Sequence, residues 1–192
     1  MYDLGHVVDL IDDASVPDHT RNDPHPPWFH FGSPYEAWTA KFGPKEMEGL
    51  AKSLFDFRKK PITFSDLPSY FESMAIYSNN NFFSKDTIPE KNNQYEKPKI
   101  FSVSKEVIDG KDYIFAMGFD DFGNKIRLTK LIQKPGSIEF SSYFDDNDFV
   151  LWDYWSLNSK QAILHGAGVV KLFFDEVEKE KKTQALYNKN KS

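Results

Sequence analysis

Two groups of side chains in this chain have the composition of a chemical site. The first is His19, His25 and His30, with Asp18 and Asp23 between them. Neutral imidazoles and carboxylates ligate divalent metals, and a bound ion activates water for hydrolysis. A metal-dependent hydrolase built on these three histidines is therefore one reading. Their spacing follows no metal signature, and Pro24, Pro26 and Pro27 would have to bend the chain around the ion. Read without a metal, the stretch is a surface loop anchored by Trp28, Phe29 and Phe31.

The second group is Asp145, Asp146, Asp148 and Asp153, interleaved with Trp152, Tyr154 and Trp155. As a calcium loop it lacks the central glycine and the closing glutamate. As a paired-carboxylate hydrolase it lacks a second element. It suits recognition: aromatic rings supply contact area that carries binding energy, and carboxylates steer a basic partner into place. The plainer alternative is a turn with exposed acids.

The remaining chemistry is sparse. His6 and His165 stand alone, and His165 falls near the apolar stripe of an expected helix, where a hydrogen-bonded structural imidazole is the simpler account. No Gly-x-Ser-x-Gly elbow, Walker loop or dinucleotide fingerprint is present. Asp121-Phe122-Gly123 shares the letters of a kinase triplet but sits in an expected hairpin turn without the companion motifs. The chain has no cysteine, which excludes disulfides, thiolate zinc ligands and thiol nucleophiles.

The elements that must position these groups follow from periodicity. Residues 99–155 read as an antiparallel β-meander of four to five strands. Asp109-Gly110 between apolar runs signals a type I′ hairpin, which needs positive φ at both central residues. Tyr113, Phe115, Met117 and Phe119 alternate with Ile114, Ala116 and Gly118, which puts a bulky and a small set on opposite faces. Turn chemistry recurs at 120–124 and at Lys134-Pro135-Gly136-Ser137. The third strand sets Ile126, Leu128 and Ile132 against Arg127, Thr129 and Leu131. A fifth strand is expected over Phe149–Trp155, apolar on both faces.

Helices are expected at about 34–57 and 66–78. Ser33-Pro34-Tyr35-Glu36 starts one, Gly43-Pro44 interrupts it, and Met47, Leu50, Ala51, Leu54 and Phe55 then mark one buried stripe. Ser65 or Asp66 caps the next. Arg58-Lys59-Lys60 reads as a solvated helix end that suits the dipole. A long C-terminal helix is expected at about 159–182, with Gly166 and Gly168 tolerated because it crosses the sheet closely at Ala116 and Gly118. Residues 1–13 read as a short strand or helix, 14–32 as a Pro/His-rich loop, 78–98 as a polar loop and 183–192 as a frayed tail. The whole is read as one α+β domain with helices packed on the sheet.

At 192 residues, 40% hydrophobic and 16% aromatic, the chain can bury a sizeable core. A net charge of −5 with dispersed Lys and Arg disfavours a nucleic-acid partner. The first residues lack the basic and apolar regions of a secretory signal, and no apolar run reaches the length of a membrane span, so a cytoplasmic protein without a membrane partner is expected. No cofactor is expected. The function these features suggest is a non-catalytic protein-binding protein of inhibitor, immunity or antitoxin type. It would neutralise a basic partner through Asp145, Asp146, Asp148, Trp152, Asp153, Tyr154 and Trp155. The alternatives are the hydrolase above and a small-ligand pocket, lined by Tyr113, Phe115 and Trp152, in a cone of helices and curved sheet.

Overall fold

The computed structural model describes residues 2–21, 34–83, 98–140 and 148–191. Its elements are α1 (Tyr2–Ala14), α2 (Pro17–Thr20), α3 (Pro34–Thr39), α4 (Pro44–Asp56), α5 (Leu67–Asn80), β1 (Ser102–Ile108), β2 (Lys111–Phe119), β3 (Lys125–Lys134), β4 (Ser137–Phe140) and α6 (Asp148–Lys189). The architecture is α+β: helices, an antiparallel sheet, then a long C-terminal helix.

The first segment is a helix because Leu4, Val7, Val8 and Ile11 recur at helical spacing and meet the helical core on one side. The expected loop after it is interrupted by α2, where Pro17 occupies the opening turn, a position that needs no N–H donor. Asp66 caps α5 by accepting the Ser69 N–H at 3.1 Å. Glu46 reaches back to accept the Gly43 N–H at 2.9 Å and fixes the start of α4. The stripe expected on α4 is not buried as one face. Leu54 is buried and Leu50 half-buried, but Met47, Ala51 and Phe55 are exposed.

The sheet falls short of four or five full strands. β1, β2 and β3 are seven to ten residues long and pair antiparallel in sequence order, and β4 is a four-residue piece beside β3. Asp109 and Gly110 have φ of 50° and 74°, as the type I′ hairpin requires. Asp120 closes the next turn by accepting from the N–H of Phe122 at 2.9 Å and of Asn124 at 2.8 Å. A register shift at Ala116/Met117 pairs Ala116 with Thr129 and Met117 with Arg127, leaving Leu128 without an opposite. The strict face alternation expected for β3 therefore breaks there.

Residues 149–155 are not a strand. They form the first turns of α6, which begins eleven residues before the expected start. An apolar run that looks two-faced as a strand also satisfies a helix: Val150, Tyr154, Leu157, Asn158 and Gln161 are all buried at i, i+4, i+7, i+8 and i+11. At 42 residues α6 is about 60 Å long. Val150, Leu151, Tyr154, Trp155 and Leu157 join the core formed with Phe115, Met117, Ile126 and Leu128 of the sheet and with Tyr35, Trp38, Phe82 and Phe83. Ala162 and Val169 join a second core with Ile11, Tyr70 and Met74. Among the described residues α6 is the helix whose backbone approaches the sheet, at β3; α1, α3, α4 and α5 pack on α6 instead. The expected frayed tail is helical to Lys189, although every residue from Glu178 to Lys189 is exposed. No helix among the described residues is long and apolar enough to cross a bilayer.

Gly168 has a different reason from the one expected. It faces the extended segment before α5, where a Cβ would lie 1.8 Å from the Ile62 carbonyl oxygen. The Ile62 N–H donates to the Leu164 carbonyl at 3.1 Å, so that segment is bonded to the helix it abuts. Gly118 makes room for the Leu128 side chain within β2 and β3. Gly166 is less constrained, its nearest neighbour being Val8 Cγ1 at 3.7 Å. Gly168→Ala should therefore lower stability by about 2–3 kcal/mol. Gly166→Ala should raise it by up to about 1 kcal/mol through helix propensity. Urea denaturation of both variants checks the contrast; a harmless Gly168→Ala would refute the close approach.

Candidate functional site

Successive residues of a helix are turned by about 100°, so the first turns of α6 distribute the aromatic and acidic group over three directions. Tyr154 points into the core and is fully buried. Its hydroxyl donates to the Leu128 carbonyl at 2.5 Å and accepts the Phe83 N–H at 3.1 Å. Trp155 is buried too, stacked on Phe42 at 4.3 Å between centroids. Trp152 is 46% exposed yet held by three rings: Trp38 at 6.2 Å, Phe42 at 5.2 Å and Trp155 at 5.3 Å. Asp153 turns toward the sheet. Asp148 is the first residue of α6, one helical turn before Trp152. Asp145 and Asp146 lie outside the described residues. Of the residues expected to meet a partner, Tyr154 and Trp155 are thus buried, whereas Trp152 is exposed.

Asp153 belongs to a polar bracket that the sequence did not reveal. The Arg127 backbone N–H donates to Asp153 Oδ2 at 2.7 Å, and its Nη1 reaches the same oxygen at 3.2 Å. Nε and Nη2 of Arg127 donate to Glu106 Oε2 at 3.0 and 2.9 Å. The guanidinium lies 5.5 Å from the centre of the Phe115 ring and 5.8 Å from that of Phe149. Burial pushes the Asp153 carboxyl above the usual carboxylate range, against the downward pull of the Arg127 hydrogen bonds and charge. Beside the bracket is a cavity of about 330 Å³ lined by Ser102, Val103, Ser104, Glu106, Met117, Lys125, Arg127 and Asp153. No imidazole lines it, and the carboxylates are committed to Arg127. This arrangement holds the Arg127 guanidinium in place between two carboxylates from β1 and α6. The cavity does not match the expected aromatic ligand pocket, since Tyr113, Phe115 and Trp152 do not line it and Phe115 is wholly buried.

The histidine group is only partly placed. His19 Nε2 lies 3.2 Å from Glu36 Oε1, and Nδ1 lies 3.1 Å from the Asp13 carbonyl. His25 and His30 fall outside the described residues. No group of three or more potential ligands gathers among the described residues. His165 is buried between α5 and α6, with Nδ1 2.8 Å from the Gln161 carbonyl and Nε2 3.0 Å from Ser73 Oγ. A carbonyl only accepts, so Nδ1 carries the hydrogen and Nε2 accepts from the serine. Burial lowers the His165 pKa and keeps this neutral tautomer.

No family model, curated protein or solved structure matches the chain. The residues that sequence reasoning passed over are Arg127, Glu106, Trp38 and Phe42. Arg127 left one signal, a guanidinium set between the apolar Ile126 and Leu128. Its pairing with Glu106, 21 residues away on a strand not adjacent in the sheet, left none.

Arg127→Met should cost about 2–3 kcal/mol, because two part-buried carboxylates lose their shared cation. Adding Glu106→Gln and Asp153→Asn should restore more than half of that, as read by urea denaturation at neutral pH. No recovery would show that Arg127 acts through packing alone. The His165 shift also predicts a pH dependence. Below about 6.5 the unfolded chain takes up a proton that the folded imidazole refuses. This contribution is fully present above that pH and is lost as pH falls from there toward the folded pKa. His165→Gln should flatten the corresponding part of the stability–pH profile; an unchanged slope would assign it elsewhere.

Proposed function

We propose that this chain is a non-catalytic protein-binding protein, of inhibitor or immunity-like character, that takes a basic partner at the amino-terminal end of α6. The observation that carries the reading is Trp152. A ring left 46% exposed while three other aromatic rings fix its position has already lost the freedom that binding would otherwise cost. Rigid, partly exposed tryptophans are the side chains most often found to dominate interface energy. Asp145, Asp146 and Asp148 precede it by four to seven residues, and the chain carries a net charge of −5. Carboxylates before a helix also satisfy its dipole. Charge alone therefore does not carry the argument, and the immobilised tryptophan does.

The partner meets Trp152 first as a hydrophobic anchor, with the acids setting the rate of encounter. The test begins with the protein isolated from its native source, where a stoichiometric basic protein is expected to accompany it. Trp152→Ala should then weaken the complex at least about 30-fold, the equivalent of roughly 2 kcal/mol. Asp145→Asn with Asp146→Asn and Asp148→Asn should chiefly slow association and flatten its salt dependence. Unchanged affinity in both variants, with native thermal stability, would remove this surface from consideration.

A further inference from the structure

The carboxyl end of α4 carries a second exposed aromatic group, and its charge is of the opposite sign. Phe55 is 81% exposed and Phe57 70% exposed, so both rings touch little of their own chain. They flank the helix end, two residues apart and so on different sides of it, and exposed apolar groups of this size mark contact surfaces. Close to them in the chain are Lys52, Arg58, Lys59 and Lys60, with Asp56 the one acid between 52 and 60; Glu46 and Glu48 lie nearer the other end of the helix. The helix dipole accounts for cations at this end. It does not account for the two phenylalanines.

A second observation comes from the backbone. The Lys59 N–H donates to the Leu54 carbonyl at 2.9 Å and the Arg58 N–H to the Phe55 carbonyl at 2.8 Å, which is the Schellman closure of a helix. That closure puts its penultimate residue in the left-handed region, where glycine is favoured. Here the residue is Arg58, at φ 52°. A strained L-residue with a long cationic side chain therefore stands where a glycine would be less strained. Lys59 is drawn back over the Phe122 ring, 4.2 Å from its centre, whereas Arg58 and Lys60 are both exposed.

We propose that this tip docks on an anionic lipid surface, Phe55 and Phe57 entering the headgroup region and Arg58, Lys60 and Lys52 pairing with lipid phosphates and carboxylates. Protruding rings with exposed cations close by in the chain suit a soft, negatively charged interface, where rings sink and side chains of lysine and arginine remain at headgroup level. An acidic protein would need a broad complementary face, and these rings rise from a single helix end. The chain as a whole is acidic, at −5, so attraction to an anionic bilayer has to be local to such a patch. Contact at the surface is compatible with the absence of a spanning helix among the described residues.

The test is co-sedimentation of the full chain with large vesicles of phosphatidylcholine, with and without phosphatidylserine. Binding should be at least about tenfold stronger with phosphatidylserine and should fall as salt rises. Phe55→Ser with Phe57→Ser should abolish it with no loss of thermal stability. Arg58→Gly should raise Tm by about 2–4 °C by relieving the left-handed residue, yet weaken binding about fivefold by removing one cation. A cap residue with only a structural role would not separate the two effects. Equal binding to both vesicle types, or binding that survives loss of both phenylalanines, would overturn the proposal. So would binding of polyglutamate in the absence of vesicles that is lost with both phenylalanines, which would assign the patch to acidic proteins.

Discussion

The hydroxyl of Tyr154 is the point on which the two halves of the molecule meet. It donates to a carbonyl of β3 and accepts an N–H from the chain just beyond α5, while its own backbone belongs to α6. A hydroxyl buried this completely has to find both partners, or its desolvation opposes folding. Burial pushes its pKa well up, so it keeps its hydrogen over the whole working range. The carbonyl it meets is that of Leu128, the residue that the register shift leaves without an opposite. The irregularity in β3 and the tyrosine in α6 are thus one joint. Because Tyr154 must point inward, Trp152 is turned toward α3 and the start of α4, and Asp153 toward Arg127. The exposure of one and the engagement of the other follow from helical geometry once the tyrosine is fixed.

Much of the scaffold was legible because local chemistry decided it. Asp109-Gly110 supplied two residues that accept positive φ, Asp66 supplied a cap, and the apolar spacing of α5 and of the central part of α6 was unambiguous. The failures share a cause: they lie where local signals are degenerate and tertiary contacts choose. Phe149 to Trp155 is apolar enough to serve as a covered strand or as a buried helix face, and seven residues do not separate the two periods. Gly168 reads as a weak point in a helix until the Ile62 backbone is set against it. The stripe on α4 reads as core because amphipathicity reports which residues resemble one another and not whether a neighbour covers them.

The candidate site was half legible for the same reason. Types and spacing picked out Trp152 and Asp153 but assumed a strand, in which 152 and 154 would share a face. In the helix 154 turns into the core and 152 outward. The Arg127 bracket was invisible because its three charges come from β1, β3 and α6. What such a network contributes is orientation more than net stability, since each buried charge carries a desolvation cost that its partner offsets. Its placement suits that role: it ties the first turns of α6, including the turn that carries Trp152, to the middle of the sheet.

Exposed aromatic side chains differ here in how firmly the fold holds them. Tyr35, Trp38, Phe82, Phe83 and Phe115 are all buried in one core. Trp152, Phe55 and Phe57 are left out for different physical reasons. Trp152 is gripped by rings on its inner side, so its exposed edge is a fixed feature that a rigid partner can read. Phe55 and Phe57 are gripped by almost nothing, so they are free to adapt to whatever they enter. A rigid anchor that follows acids in the chain fits a structured basic protein, and loose rings close in the chain to cations fit a fluid anionic interface. The distinction rests on packing as much as on charge, and for that reason it is drawn from the structure rather than from the chain's net charge of −5.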